Sequence, residues 1–223
     1  MFKWLSSGPA LTEMKRTLPR AELLRRGRVA ILDDEAPEML QDLINQGLAI
    51  THLRGTEDPQ FQAVADGSYD LLLLDYGGVG LKFGPDEGLE VLRFLKRVNP
   101  GLRILAFTAR TFDASKADFF RLCDDVVKKD AGIRETLEKI ESHLSDVLTP
   151  AYQFDALVKT LGIDGEQRQE LERVISKSLN ASTGREKALA TAKKFAKGAS
   201  IKVVEAIVLK AIELGVTAIS VGG

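Results

Sequence analysis

Hydrophobic and polar positions along residues 28–147 alternate between two rhythms. Short runs that are apolar almost throughout, such as "RVAIL", "LLLL" and "LRILAF", are separated by stretches in which apolar residues recur every three or four positions. The first rhythm predicts buried strands and the second amphipathic helices. "RVAILDDE" is a strand ending in acids, and "PEMLQDLINQG" is a helix with Met39, Leu40, Leu43 and Ile44 on one face and Gly47 as its stop. "LAITHL" is the second strand, "DPQFQAVADG" a short helix and "YDLLLLD" the third strand. "EGLEVLRFLKRVNPG" buries Leu89, Leu92 and Leu95 and halts at Asn-Pro-Gly. "LRILAFTA", "DASKADFFRLC", "DDVVKK" and "IRETLEKIESHLSDVL" complete five strands alternating with five helices. Strands that are apolar on both faces need cover on both. Alternation with helices supplies it in an α/β fold, a five-stranded doubly wound parallel sheet.

After Pro150 the strand pattern ends and a small all-α region begins. "AYQFDALVKTLGI" sets Phe154, Leu157, Val158 and Leu161 on one face, and the next helix does the same with Leu171, Val174, Ile175 and Leu179. "TGREKALATAKKFAKG" opens on a capping box from Thr183 to Glu186. In "SIKVVEAIVLKAIELGVTAISVGG", Lys202, Glu205, Lys210 and Glu213 fall within about 140° of a helical wheel, which leaves an apolar face wider than an ordinary surface helix shows. The core of a helical bundle, a dimer interface or a membrane surface would each bury it. The chain thus divides into an extension (1–27), an α/β domain (28–148) and a helical module (149–223). In the extension, Phe2, Trp4 and Leu5 beside Lys3 are candidate docking residues.

The formal net charge of −1 conceals an asymmetry. Residues 1–27 carry six Lys/Arg against two Asp/Glu, residues 28–147 carry 14 against 22, and residues 148–223 carry 11 against eight. An acidic middle between basic flanks argues against one continuous nucleic-acid surface. A helix-turn-helix output needs a basic face with base-reading side chains, and the alanine-rich basic helix lacks them. The single cysteine, Cys123, excludes an internal disulfide framework and reads as core, which fits a reducing, cytoplasmic setting. His52 and His143 are too few for a histidine metal site, and they read as surface or half-buried residues. The N-terminal apolar run is too short for a signal peptide.

In a doubly wound sheet the ligand site lies outside the carboxyl ends of the strands. Those ends hold Asp33, Asp34 and Glu35 after the first strand, Asp75 after the third, Thr108 after the fourth and Lys129 after the fifth. Converging carboxylates repel by roughly 4 kcal/mol per pair at about 4 Å and an effective dielectric near 20, so a cation belongs among them. A hard divalent ion such as Mg²⁺ suits carboxylates and a backbone carbonyl. Lys129 adds a fixed positive charge and Thr108 a hydroxyl donor. These are the parts for moving a phosphoryl group onto a carboxylate, with Asp75 as nucleophile and Asp33 and Asp34 holding metal. The glycines after Asp75 form no P-loop, because no Gly-Lys-Ser/Thr follows them.

"ILDDE", "LLLLD", "FTA" and "DDVVKK", in this order and spacing, resemble the receiver domain of two-component response regulators over residues 28 to about 147. The resemblance implies a flavodoxin-like sheet. It implies Asp75 as phosphoacceptor for a histidine kinase or phosphotransfer protein, with Thr108 and Lys129 as the switch pair. It also implies Mg²⁺ held by Asp33, Asp34, Asp75 and the Gly77 carbonyl, Asp34 directly and Asp33 more through water. Such a protein at most phosphorylates itself from small donors and dephosphorylates itself. The helical module would then mediate self-association or partner binding.

Three departures from the family pattern stand out. Gly88 lies 13 residues past Asp75, so "YGGVGLKFGPDEG" is about five residues longer than usual. Val126 replaces an aromatic in the fifth strand, which breaks the usual relay to the output face. Asp130 replaces the proline after the lysine, which removes a cis-peptide constraint and leaves Lys128 as an alternative to Lys129. Rival expectations are a phosphorylation-independent pseudo-receiver scaffold, a DNA-binding regulator with an atypical output, and a metal-dependent phosphatase.

Overall fold

The computed structural model describes residues 10–109, 114–179 and 184–220. The chain divides into two compact units, one of residues 18–147 and one of residues 148–223 together with 1–17. The segment expected as an extension is therefore shared between them. Phe2, Trp4, Leu5 and the capping residue Thr183 lie outside the described residues.

The first unit runs α1 (Arg20–Arg26), β1 (Arg28–Leu32), α2 (Leu40–Asn45), β2 (Ala49–Leu53), α3 (Phe61–Ala65) and β3 (Leu71–Leu74). It continues through α4 (Gly88–Val98), β4 (Arg103–Thr108), α5 (Ala117–Leu122), β5 (Asp125–Lys128) and α6 (Ile133–Val147). The five strands form one parallel sheet in the order β2-β1-β3-β4-β5. The fold is thus the expected five-stranded parallel sheet with helices on both faces, followed by helices.

Side chains alternate across the sheet with period two. Ala30, Leu32, Leu72, Leu74, Ile104 and Ala106 pack with Phe61 and Val64 of α3, with Leu89, Val91, Leu92 and Leu95 of α4, and with Phe119 of α5. Their neighbours Val29, Ile31, Leu71, Leu73, Leu105 and Phe107 are equally buried on the opposite face, where α6 lies beside α1 and α2. Each of the four β3 leucines contributes about 1.5–3 kcal/mol relative to exposure, which is why a run with no polar alternation is stable only in the centre of the sheet. Helix α1 is tied to α6 by an Arg20–Glu141 ion pair of 2.6 Å.

One expectation at the edges shifts, and His143 is half-buried as expected. Helix α2 is six residues long and fully buries Leu43, while Ile44 is 39% exposed. His143 Nε2 donates to the Asp125 carboxylate at 3.1 Å. Burial opposes ionisation of Asp125, but bonds to His143, the Val126 amide and Lys139 hold its carboxyl below the usual range. His143 is therefore a tie between α6 and β5. Cys123, expected in the core, is half-buried at its margin, and burial pushes its thiol up to about 12, which disfavours a nucleophilic role.

The second unit contains α7 (Pro150–Leu161), α8 (Gly165–Ser178), α9 (Gly184–Phe195) and α10 (Ile201–Ser220). Thr149 caps α7 by accepting from the Tyr152 amide at 3.2 Å, with Pro150 at the first helical position. The wide face of α10, with Val203, Val204, Ile207, Val208 and Ile212, closes on Phe154, Leu157, Leu171, Ile175 and Phe195 from the other three helices. Leu11, in a 3-10 turn, completes this core. The face is therefore used inside the unit, and Ile201, Val216 and Ile219 are the large apolar residues of α10 left exposed. No helix among the described residues is long and apolar enough to cross a membrane.

Gly88 opens α4 hard against the end of β3. Its amide donates to the Tyr76 carbonyl at 2.9 Å, and a Cβ there would sit 2.4 Å from the Asp75 carbonyl oxygen. Backbone cannot yield as a flexible side chain does. Gly88→Ala is expected to cost about 1–3 kcal/mol in urea denaturation. Gly132→Ala, where an added Cβ meets nothing within 4 Å, is expected to stay within about 0.5 kcal/mol of the parent.

Candidate functional site

Parallel pairing brings the strand ends to one level. Leu32 pairs with both Leu53 and Leu74, and Thr108 with Lys128. The ladder then runs one residue further: the Asp33 amide donates to the Leu53 carbonyl at 3.0 Å, the Asp75 amide to Leu32 at 2.9 Å, and the Lys129 amide to Thr108 at 2.8 Å. Asp33, Asp75 and Lys129 are thereby fixed by backbone bonds before their side chains make any contact.

The side chains converge. Ligand oxygens of Asp33, Asp34 and Asp75 all lie within 4.8 Å of one another. Asp33 is 1% exposed, and its Oδ1 accepts from the Glu35 amide at 3.1 Å. Asp75 is half-buried; Oδ1 accepts from the Tyr76 amide at 2.7 Å and Oδ2 from Lys129 Nζ at 2.8 Å. Lys129 Nζ also lies 2.7 Å from the buried Asp33 Oδ2, so one ammonium bridges the two carboxylates. Asp34 is exposed, and its carboxylate lies directly over the α-carbon of Gly78, where a Cβ would be 2.4 Å from Asp34 Cγ.

One ammonium faces three carboxylates. Burial works against the charged amine, but the hydrogen bonds and charges of Asp33 and Asp75 outweigh it and raise the Lys129 pKa above its usual value. Two negative charges remain uncompensated. An all-oxygen set of three clustered carboxylates with excess negative charge fits a hard divalent cation such as Mg²⁺.

Lys129 enters the cluster, whereas Lys128, the last residue of β5, is exposed. Thr108 stands half-buried at the end of β4, one ladder step from Lys129. Gly77 lies in the loop after Asp75, beside the Glu87 carboxylate. No described peptide bond is cis, so the Lys129–Asp130 link is an ordinary trans one.

Three neighbours were not anticipated. His52 places Nε2 2.8 Å from the Asp33 carbonyl; pairing of β2 with β1 foreshadows this, since His52 stands opposite Ile31. The Tyr76 ring packs edge-on against Phe119 at 5.3 Å, with Lys116 Nζ 4.0 Å from its centroid. Glu87 reaches back across the loop to accept from the Gly78 amide at 2.6 Å. Nothing in the composition of the loop points to that bond.

No family model and no curated protein matches the chain. Among solved structures it is similar to the BeF3-activated DrrB receiver domain, at 21% identity over 53% of this chain and 97% of that one, with a TM-score of 0.42. It is also similar to the response regulator TrrA from Thermotoga maritima in complex with Mg²⁺ and BeF, at 25% identity over 52% and 98%, TM-score 0.44. A CheY-like receiver domain protein from Methanospirillum hungatei JF-1 gives 21% identity over 54% and 95%, TM-score 0.44.

Because the folded-state pKa of Lys129 is raised, its contribution to stability is complete below the unfolded value of about 10.4 and is lost as pH rises through the folded one. Lys129→Met is expected to cost about 3 kcal/mol near pH 8, since it strands the buried Asp33 charge. Denaturation curves at rising pH should show the gap between parent and variant narrowing above about pH 10.5. A gap that stays constant would mean that the ammonium does not stabilise the fold.

Proposed function

We propose that the chain is a response regulator that accepts a phosphoryl group on Asp75 and signals through its helical unit. The observation that carries this reading is the meeting of three carboxylates and the Lys129 ammonium at the carboxyl ends of β1, β3 and β5. Asp75 is the nucleophile because it alone stands at the end of the central strand, half-buried, with both oxygens oriented by fixed donors. Asp33, Asp34, Asp75 and the Gly77 carbonyl are the groups that would hold Mg²⁺. When bound, that ion offsets charge on the incoming phosphoryl oxygens.

An Asp75 carboxylate oxygen attacks the phosphorus of a phosphohistidine on a kinase or phosphotransfer protein. The new P–O bond forms as the P–N bond breaks, and the imidazole leaves with the bonding pair and takes up a proton. Asp75 then carries nearly two negative charges in place of one. Lys129 turns from the carboxylate to the added oxygens, and the Thr108 hydroxyl donates to another. Both residues sit where strands give way to loops, so their movement displaces the segments after β4 and β5.

The helical unit is read as the output, binding a protein partner or a second copy of the chain. Its internal use of the α10 face leaves Ile201, Val216 and Ile219 and the charged helix surfaces for that contact. These features favour protein association over a membrane surface.

Incubation with Mg²⁺ and acetyl phosphate, followed by intact-mass measurement, should show the gain of one phosphoryl group. Asp75→Asn should gain none, and chelation of Mg²⁺ should abolish the gain. If the parent protein gains nothing under these conditions or from a phosphorylated kinase domain, the chain is a phosphorylation-independent scaffold.

A further inference from the structure

Glu87 is the one non-glycine residue with positive φ among the described residues, at φ +42° and ψ −112°. A residue with a Cβ is strained there, and glycine would not be. The position immediately precedes Gly88, which is pinned against the end of β3, so the backbone direction is dictated from one side. What the glutamate achieves there is its bond across the loop to the Gly78 amide, at 2.6 Å to a charged acceptor.

The Gly78 N–H belongs to the same peptide group as the Gly77 carbonyl. All described peptide bonds are trans, so the carbonyl and the N–H of this unit point in opposite directions. Fixing the N–H on Glu87 therefore fixes the Gly77 carbonyl on the far side. Donation to a carboxylate also polarises the amide and increases the negative charge on that carbonyl oxygen. The same short segment lies at the acidic cluster, because the Asp34 carboxylate covers the Gly78 α-carbon.

We propose that Glu87 is a positioning residue that aims and polarises the Gly77 carbonyl as a ligand for a divalent cation held with Asp33, Asp34 and Asp75. This rests on reading the acidic cluster as a cation site. Glu87 is not one of the three carboxylates that share the cluster; it acts through the peptide group between it and the ion. The role accounts for a glutamate in a glycine conformation. It also gives the long loop a purpose, since the loop returns its last residue to the glycines at its start.

The test is calorimetric titration of the full chain with Mg²⁺, and with Mn²⁺ as a tighter probe, alongside thermal melts without cation. Glu87→Ala and Glu87→Gly are expected to weaken binding on the order of tenfold or more, and Glu87→Gln, which keeps an acceptor oxygen without the charge, by less. Glu87→Gly separates positioning from folding: glycine relieves the strain, so this variant should melt at or above the parent temperature while still losing affinity. Affinity of Glu87→Gly within about twofold of the parent overturns the proposal. A parent protein that binds no cation, or an Asp34→Asn variant that binds as well as the parent, overturns the cation-site reading and the proposal with it.

Discussion

The contact on which the site depends is that between the Lys129 ammonium and two carboxylates, Asp75 at 2.8 Å and Asp33 at 2.7 Å. Without it three acids would meet at the end of a buried sheet with no ion-pair partner among the described residues. With it the cluster still carries an excess of two negative charges, enough to attract a divalent ion and too much to be neutral by itself.

Parallel register delivers this contact. Asp75 and Lys129 are separated by 54 positions in sequence, yet backbone bonds one step beyond the strands fix each of them, with Asp33, at one edge of the sheet. The β3 leucines supply the buried scaffold, and their burial on both faces leaves no freedom for the strand to slip without exposing apolar surface. Function and stability thus share one cause. The same sheet that the apolar runs demand also sets the spacing of the charges at its edge.

The parts most legible in the sequence were those under strong periodic or chemical constraint. Continuous apolar runs announced the parallel sheet, and acids after more than one of them announced the cluster, because a lone acid often only caps a turn whereas strand ends of one parallel sheet meet at one edge. Helix α2 was less legible: Ile44 shares the helical spacing of Leu43, but a six-residue helix covers too little surface to bury both. The wide face of α10 was visible as a wheel pattern, while its occupant was not, since only the packing of α7, α8 and α9 decides what covers it. Glu87 was invisible. Its backbone is imposed by Gly88 pressing on Asp75 and Tyr76, a contact made across the loop that leaves no mark in local composition.

The most direct test is a crystal structure of the chain with Mg²⁺ and beryllofluoride, a non-reactive mimic of the phosphoryl group. The account predicts fluoride density continuous with an Asp75 carboxylate oxygen, Lys129 turned toward the fluorides, and the metal in contact with Asp34 and the Gly77 carbonyl. An Asp75 that remains paired with Lys129, with no fluoride or metal beside it under saturating conditions, would contradict it.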